Sequence, residues 1–167
     1  MKVKIIIPIY NDWQSVFKLF EEIDNLKIDK NFEISIIVVN DASNHDRSNE
    51  EINFDNIQSI KILNMKKNRG HARCNAFGIR YAVNNEKFDY LILMDGDGED
   101  RPEEIKNFIK LSEQSAKKSI AGERVKRSEG IIFKLCYQYH KFLTLAFTGQ
   151  SIKFGNFTCL SKTTVKK

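Results

Sequence analysis

Residues 88–105 read FDYLILMDGDGEDRPEEI, and the change of character inside this stretch decides the fold. Tyr90, Leu91, Ile92, Leu93 and Met94 form an unbroken apolar run of strand length. That is the pattern of a strand covered on both faces, as in a parallel sheet. Asp95, Asp97, Glu99 and Asp100 follow, with glycines at 96 and 98. Carboxylates crowded in this way repel one another unless a cation sits among them. Mg²⁺ or Mn²⁺ fits, because such an ion is held by one or two carboxylates and completed by water and phosphate. Glycine, in turn, lets a phosphate approach the backbone closely.

Spacing separates this reading from its rivals. A calcium loop starting at Asp95 needs Gly at its sixth place and Glu at its twelfth, where Asp100 and Lys106 stand. A strand followed by D-x-D-G also resembles the nucleophile motif of haloacid-dehalogenase-type phosphatases, with Asp95 attacking. That motif expects Thr where Glu99 stands and further aspartates downstream, and the chain has no Asp after Asp100. The structural alternative is an acidic turn leading into a helix at residues 103–115. Pro102 suits the first turn of such a helix, and Glu103 and Glu104 suit its positive end.

Working outward, the chain of 167 residues is read as a single domain, 1–167, large enough for a full hydrophobic core. Cys74, Cys136 and Cys159 are odd in number and widely spaced, which argues against a disulfide framework or a zinc site. With no signal peptide read at the N-terminus, a reducing, cytoplasmic setting is expected. The net charge of +5 is uneven. Residues 1–100 hold 13 Lys and Arg against 17 Asp and Glu, whereas residues 101–167 hold 14 against 5. The first part therefore offers carboxylates for a metal and the second offers cations for an anionic partner such as phosphate, nucleic acid or a membrane surface.

Apolar runs predict strands at residues 3–7, 34–39, 57–63 and 90–94, with Pro8 ending the first. Periodicity predicts helices at 13–26 and 71–82. Alternation of this kind belongs to an α/β fold with a parallel sheet, in which ligands bind beyond the carboxyl ends of the strands. Asp12, Asp41 and the Asp95/Asp97 pair all fall at such ends. A single Asp there is ordinarily a turn or cap residue, and the repetition is what points to a site.

Four blocks, IIPIYND, VVNDAS, NRGHARCNAFGIRYA and LMDGDGEDRPEEI, resemble in order and spacing the N-terminal blocks of family 2 glycosyltransferases. The nearest likeness is to the polyprenyl-phosphate branch, similar to dolichol-phosphate mannose synthase and undecaprenyl-phosphate glycosyltransferases. The resemblance implies a GT-A fold, a nucleotide-diphosphate sugar donor, a divalent cation and inversion at the anomeric carbon. It implies that Pro8, Tyr10 and Asp12 border the nucleoside, that Asp41 bonds the base, and that Arg69 and Gly70 close the pocket. Asp95 and Gly96 would sit at the ribose or the metal's shell, with Asp95, Asp97 and Glu99 as metal ligands and Asp97 as the catalytic one. Gly96 replaces a more usual Ala and is expected only to loosen the loop.

The acceptor side is less fully written. An alcohol acceptor needs a base, for which Glu123 or Glu129 would have to serve, whereas a phosphate is already anionic and needs cations to position it. Arg124 and Arg127 suit forked contacts with phosphate oxygens, and the resemblance places the acceptor there. Residues 131–147 are too interrupted by polar groups to span a bilayer. They read as a core helix or one lying at a membrane surface, which would put the protein peripherally at the inner face of the cytoplasmic membrane. No nucleic acid is expected, although a non-catalytic anion-binding module is the alternative. The D and G-x-R elements of relatives are missing from residues 153–161, and the chain's end looks truncated. On this reading residues 1–100 form the donor half and residues 101–167 an incomplete acceptor half.

Overall fold

The computed structural model describes residues 1–26, 31–44, 53–116, 118–122, 139 and 156–165. Among them run β1 (Lys2–Ile9), α1 (Trp13–Asp24), β2 (Glu33–Asn40), β3 (Ile57–Asn64), α2 (His71–Asn85) and β4 (Tyr90–Leu93). There follow α3 (Glu104–Gln114), β5 (Ile120–Ala121), β6 (Thr158–Ser161) and a single helical turn, Lys162–Val165. One six-stranded sheet has the order β3-β2-β1-β4-β6-β5. The β1 strand pairs in parallel with β2 and β4, and β2 with β3. Antiparallel β6 joins β4 to the short β5.

The continuous apolar runs are explained by burial on both faces. Ile5 and Ile7 of β1 pack with Val16, Leu19, Phe20 and Ile23 of α1 and with Ile105 and Ile109 of α3. Ile6, one residue out of phase, packs on the other face with Ile37, Val39, Leu91 and the α2 residues Cys74 and Ala82. Each fully buried aliphatic side chain stabilises the fold by about 1.5–3 kcal/mol. Helix α2 lies so close that a Cβ at Gly78 would stand 2.7 Å from Ile6 Cγ2. At the far end of α1, Asp24 accepts the amides of Asn56 (2.7 Å), Ile57 (3.0 Å) and Asp55 (3.1 Å) and so starts β3.

The α/β expectation holds, with one informative difference. Residue 8 does not end the first strand, since β1 runs through Pro8, which is in register with Val39. Proline lacks only an N–H. Ile9 O accepts the Asp41 amide on the β2 side, so Pro8, one residue earlier, turns its nitrogen toward β4. The β4 pairing ends at the Leu93 and Ile6 partners, so the missing donor breaks no ladder bond. Apart from Tyr139, the expected helix at 131–147 lies outside the described residues, as do Cys136, Glu123, Glu129 and the pair Arg124 and Arg127. Cys74 and Cys159 are buried free thiols.

Candidate active site

Strand order reverses between β1 and β4, and an open parallel sheet has its natural crevice at such a point. Three loops meet there, and hydrogen bonds between loops fix their shapes. Asn11, in the left-handed region at φ 60°, donates its amide to Ser43 Oγ (2.9 Å) and accepts the Asn44 amide (2.7 Å). The loop after β1 is thereby stitched to the loop after β2. Asp12 caps α1 by accepting the Ser15 amide at 3.3 Å.

Asp41 is 4% exposed, and its two oxygens accept the amides of Arg69 and Gly70, each at 2.7 Å. Gly70 has φ 84°, a conformation that favours glycine, and the chain then enters α2. Burial, together with the Asp41 carboxylate, pushes the neighbouring Cys74 thiol up to about 12. Asp41 thus faces the backbone that opens α2. Its geometry is that of a clamp.

The loop after β4 is braced from within. Asp100, 6% exposed, accepts the Asp95 amide at 2.9 Å. Asp97 accepts the Glu99 amide at 3.0 Å around Gly98, whose φ is 77°. Asp95 accepts the side-chain amide of Asn156 at 2.9 Å through one oxygen and stands 3.3 Å from His71 Nε2 through the other. The expectation for Gly96 needs correction. A methyl there would lie 2.8 Å from Val16 Cγ2 and 3.2 Å from Ile7 Cγ2, so the glycine makes room for core side chains and does more than loosen the loop.

A cleft of about 190 Å³ results, lined by Pro8, Ile9, Tyr10, Asp12, Val16, His71, Asp95, Gly96 and Asp97. Six expected residues, Pro8, Tyr10, Asp12, Asp95, Gly96 and Asp97, are gathered there. Asp41, Arg69 and Gly70 are not among the lining residues, Asp41 being buried and Arg69 and Gly70 exposed, and Glu99 is exposed on the turn that follows Asp97. His71 and Asn156 were not singled out from sequence. His71 could have been suspected from its place just after Gly70 at a helix start, whereas nothing local in sequence marks Asn156.

Among the described residues no three His, Cys, Asp or Glu side chains form a closed metal cage. The cleft nevertheless suits a hard cation of the Mg²⁺ or Mn²⁺ type. Such ions need one or two carboxylates and take their other ligands from water and phosphate, and Asp95 and Asp97 both face the same open space.

The family model described as glycosyl transferase family 2 matches residues 4–162. The chain belongs to this family. Its GT-A fold is shared with solved glycosyltransferases. The mannosyltransferase of Pyrobaculum calidifontis, solved with GDP-Man and Mn²⁺, aligns at a TM-score of 0.58 and 15% identity, over 96% of this chain and 44% of that one. TarS of S. aureus, solved with UDP-GlcNAc, aligns at 0.58 and 17% identity, over 78% and 37%. Among curated relatives, the dolichol-phosphate mannosyltransferase of Pyrococcus furiosus is 31% identical over 75% of this chain and 34% of its own length. The undecaprenyl-phosphate 4-deoxy-4-formamido-L-arabinose transferase of Photorhabdus laumondii is 26% identical over 95% and 47%. This family 2 chain thus spans between about a third and a half of these two relatives.

Proposed function

We propose that the chain binds a nucleotide-diphosphate hexose through a divalent cation and serves inverting transfer of the hexose to a polyprenyl phosphate. One observation carries the reading. Tyr10, Asp12, Asp95 and Asp97, from loops that follow two neighbouring parallel strands, line a single cleft at the point where strand order reverses. The names of the relatives, a dolichol-phosphate and an undecaprenyl-phosphate transferase, support a lipid phosphate as acceptor.

In this reading Pro8, Tyr10 and Asp12 receive the nucleoside, and Asp95 and Asp97 hold the cation, with Glu99 as a further ligand. When bound, the cation offsets the charge that develops on the departing diphosphate. Asp41 acts as a positioning residue, fixing Arg69 and Gly70 beside the nucleotide. An acceptor phosphate oxygen forms the new bond to the anomeric carbon as the bond to the nucleoside diphosphate breaks. No proton has to be removed from such an acceptor. Arg124 and Arg127 are assigned to hold it, by the chemistry of guanidinium and phosphate.

Calorimetry with UDP-, GDP- and dTDP-sugars, with and without Mn²⁺, tests the donor half. One sugar-nucleotide binding only with metal, and lost in Asp97→Ala, is the expected result. Undiminished binding in chelator removes the reading. Radiolabelled transfer to polyprenyl phosphate that survives Glu129→Gln is expected, whereas transfer confined to a saccharide hydroxyl would reassign the acceptor.

A further inference from the structure

Between Asp55 and Glu86 the chain contains no acidic residue, while Lys61, Lys66, Lys67, Arg69, Arg73 and Arg80 all fall there. Lys61 is engaged by Glu86 and Tyr81. The other five are exposed, and none of them makes a salt bridge among the described residues. Helix α2 turns Cys74, Gly78 and Ala82 to the sheet. On its outer face Arg73, Phe77 and Arg80 fall at i, i+4 and i+7 and so form one ridge. Phe77 is 40% exposed in the middle of it, with exposed Ala76 beside it. Part of an aromatic ring is thus left open to solvent between two arginines.

We infer that the outer face of α2 docks on an anionic bilayer surface, with Arg73 and Arg80 meeting lipid phosphates and Phe77 entering the headgroup boundary. An exposed aromatic flanked by basic residues supplies the two contributions that drive binding at a membrane interface, apolar burial and attraction to anionic lipid. A single strand of nucleic acid is held instead in a charged groove, and α2, packed by its other face, offers a convex ridge. The geometry also places the donor cleft near the surface, because His71 begins α2 and lines that cleft. Among the described residues no helix is long and apolar enough to cross a membrane.

The test is sedimentation of the chain with vesicles of phosphatidylglycerol and phosphatidylcholine, against phosphatidylcholine alone. Binding to the anionic vesicles only is expected, weakening steadily as salt rises through about 0.5 M. Each arginine near such a surface strengthens partitioning about fivefold, so Arg73→Gln with Arg80→Gln should weaken it about 25-fold. Phe77→Ser should weaken it by an amount set by the apolar area lost, independently of salt. Both variants alter exposed side chains, and donor calorimetry on them should match the parent. Asp97→Ala, which removes donor binding in the reading above, should leave vesicle binding intact, so the two proposals fail separately. Unchanged partitioning of the double arginine variant overturns the inference. So does equal binding to neutral vesicles, or salt-sensitive poly(U) binding that needs both arginines while Phe77→Ser leaves vesicle binding untouched.

Discussion

The two edges of the central sheet handle their carboxylates in opposite ways. Toward the amino edge, Glu86 lies between Lys4 at 3.2 Å and Lys61 at 2.8 Å, and Lys2 faces Glu33 at 3.8 Å. The hollow there, about 320 Å³ and larger than the cleft, is lined by Lys2, Lys4 and Lys87 together with Glu33 and Glu86. At the carboxyl edge Asp41, Asp97 and Asp100 accept backbone amides, and Asp95 accepts the Asn156 side chain. Charge at the amino edge is cancelled by lysine. At the carboxyl edge backbone and side-chain amides hold the carboxylates in place, an arrangement that suits a hard cation.

The largest effect that would break this contrast is at Asp97. Asp97→Ala should lower transfer by about two to three powers of ten, as does loss of a group that stabilises developing charge. Turnover of the sugar-nucleotide across a Mn²⁺ series measures it, and activity within about threefold of the parent would remove Asp97 from the site. Next comes Asp41→Ala, which leaves two part-buried amides unpaired and should cost about 1–2 kcal/mol in urea unfolding. A loss under about 0.5 kcal/mol would show that Asp41 is no clamp.

Gly96→Ala should cost about 1–2 kcal/mol, because the β-branched Val16 is stiff and cannot swing clear of the added methyl. Val16→Ala in the same chain should recover about 1 kcal/mol relative to the sum of the single changes, and strict additivity would refute the clash. The smallest effect is expected at the amino edge. The Glu86 carboxyl lies below its ordinary value of 4.5 through its bond to Lys61, with burial opposing and Lys4 assisting. A lowered carboxyl pKa contributes stability above the unfolded value, and the contribution is lost as pH falls through the folded one. Glu86→Gln should therefore lower melting only slightly at pH 7, with the difference fading as pH falls through the lowered carboxyl value and donor binding unchanged throughout.

Much of this was legible because local signals agreed. The runs 34–39 and 57–63 appear as β2 and β3 with one-residue differences at their ends, and the carboxylates do stand at strand ends. Pro8 misled because its cost depends on which neighbour its nitrogen faces. Gly96 misled because the space for a methyl is set by Val16 from another element. Asp41 carried the right address, but its direction is set by the amides of Arg69 and Gly70 in a separate loop. Asn156, just before β6, reaches Asp95 across 61 residues of sequence, and no local pattern records that approach.

Sequence alone determined that apolar strands must be covered on both faces by intervening helices, and hence that their turn residues gather along one edge of a sheet. Hydrophobic continuity and period suffice for that, since both act between near neighbours in the chain. Tertiary structure alone decided which carboxylates look into the cleft and which are turned to the backbone. That choice rests on hydrogen bonds between loops far apart in sequence, and those exist only once the sheet has brought its strand ends together.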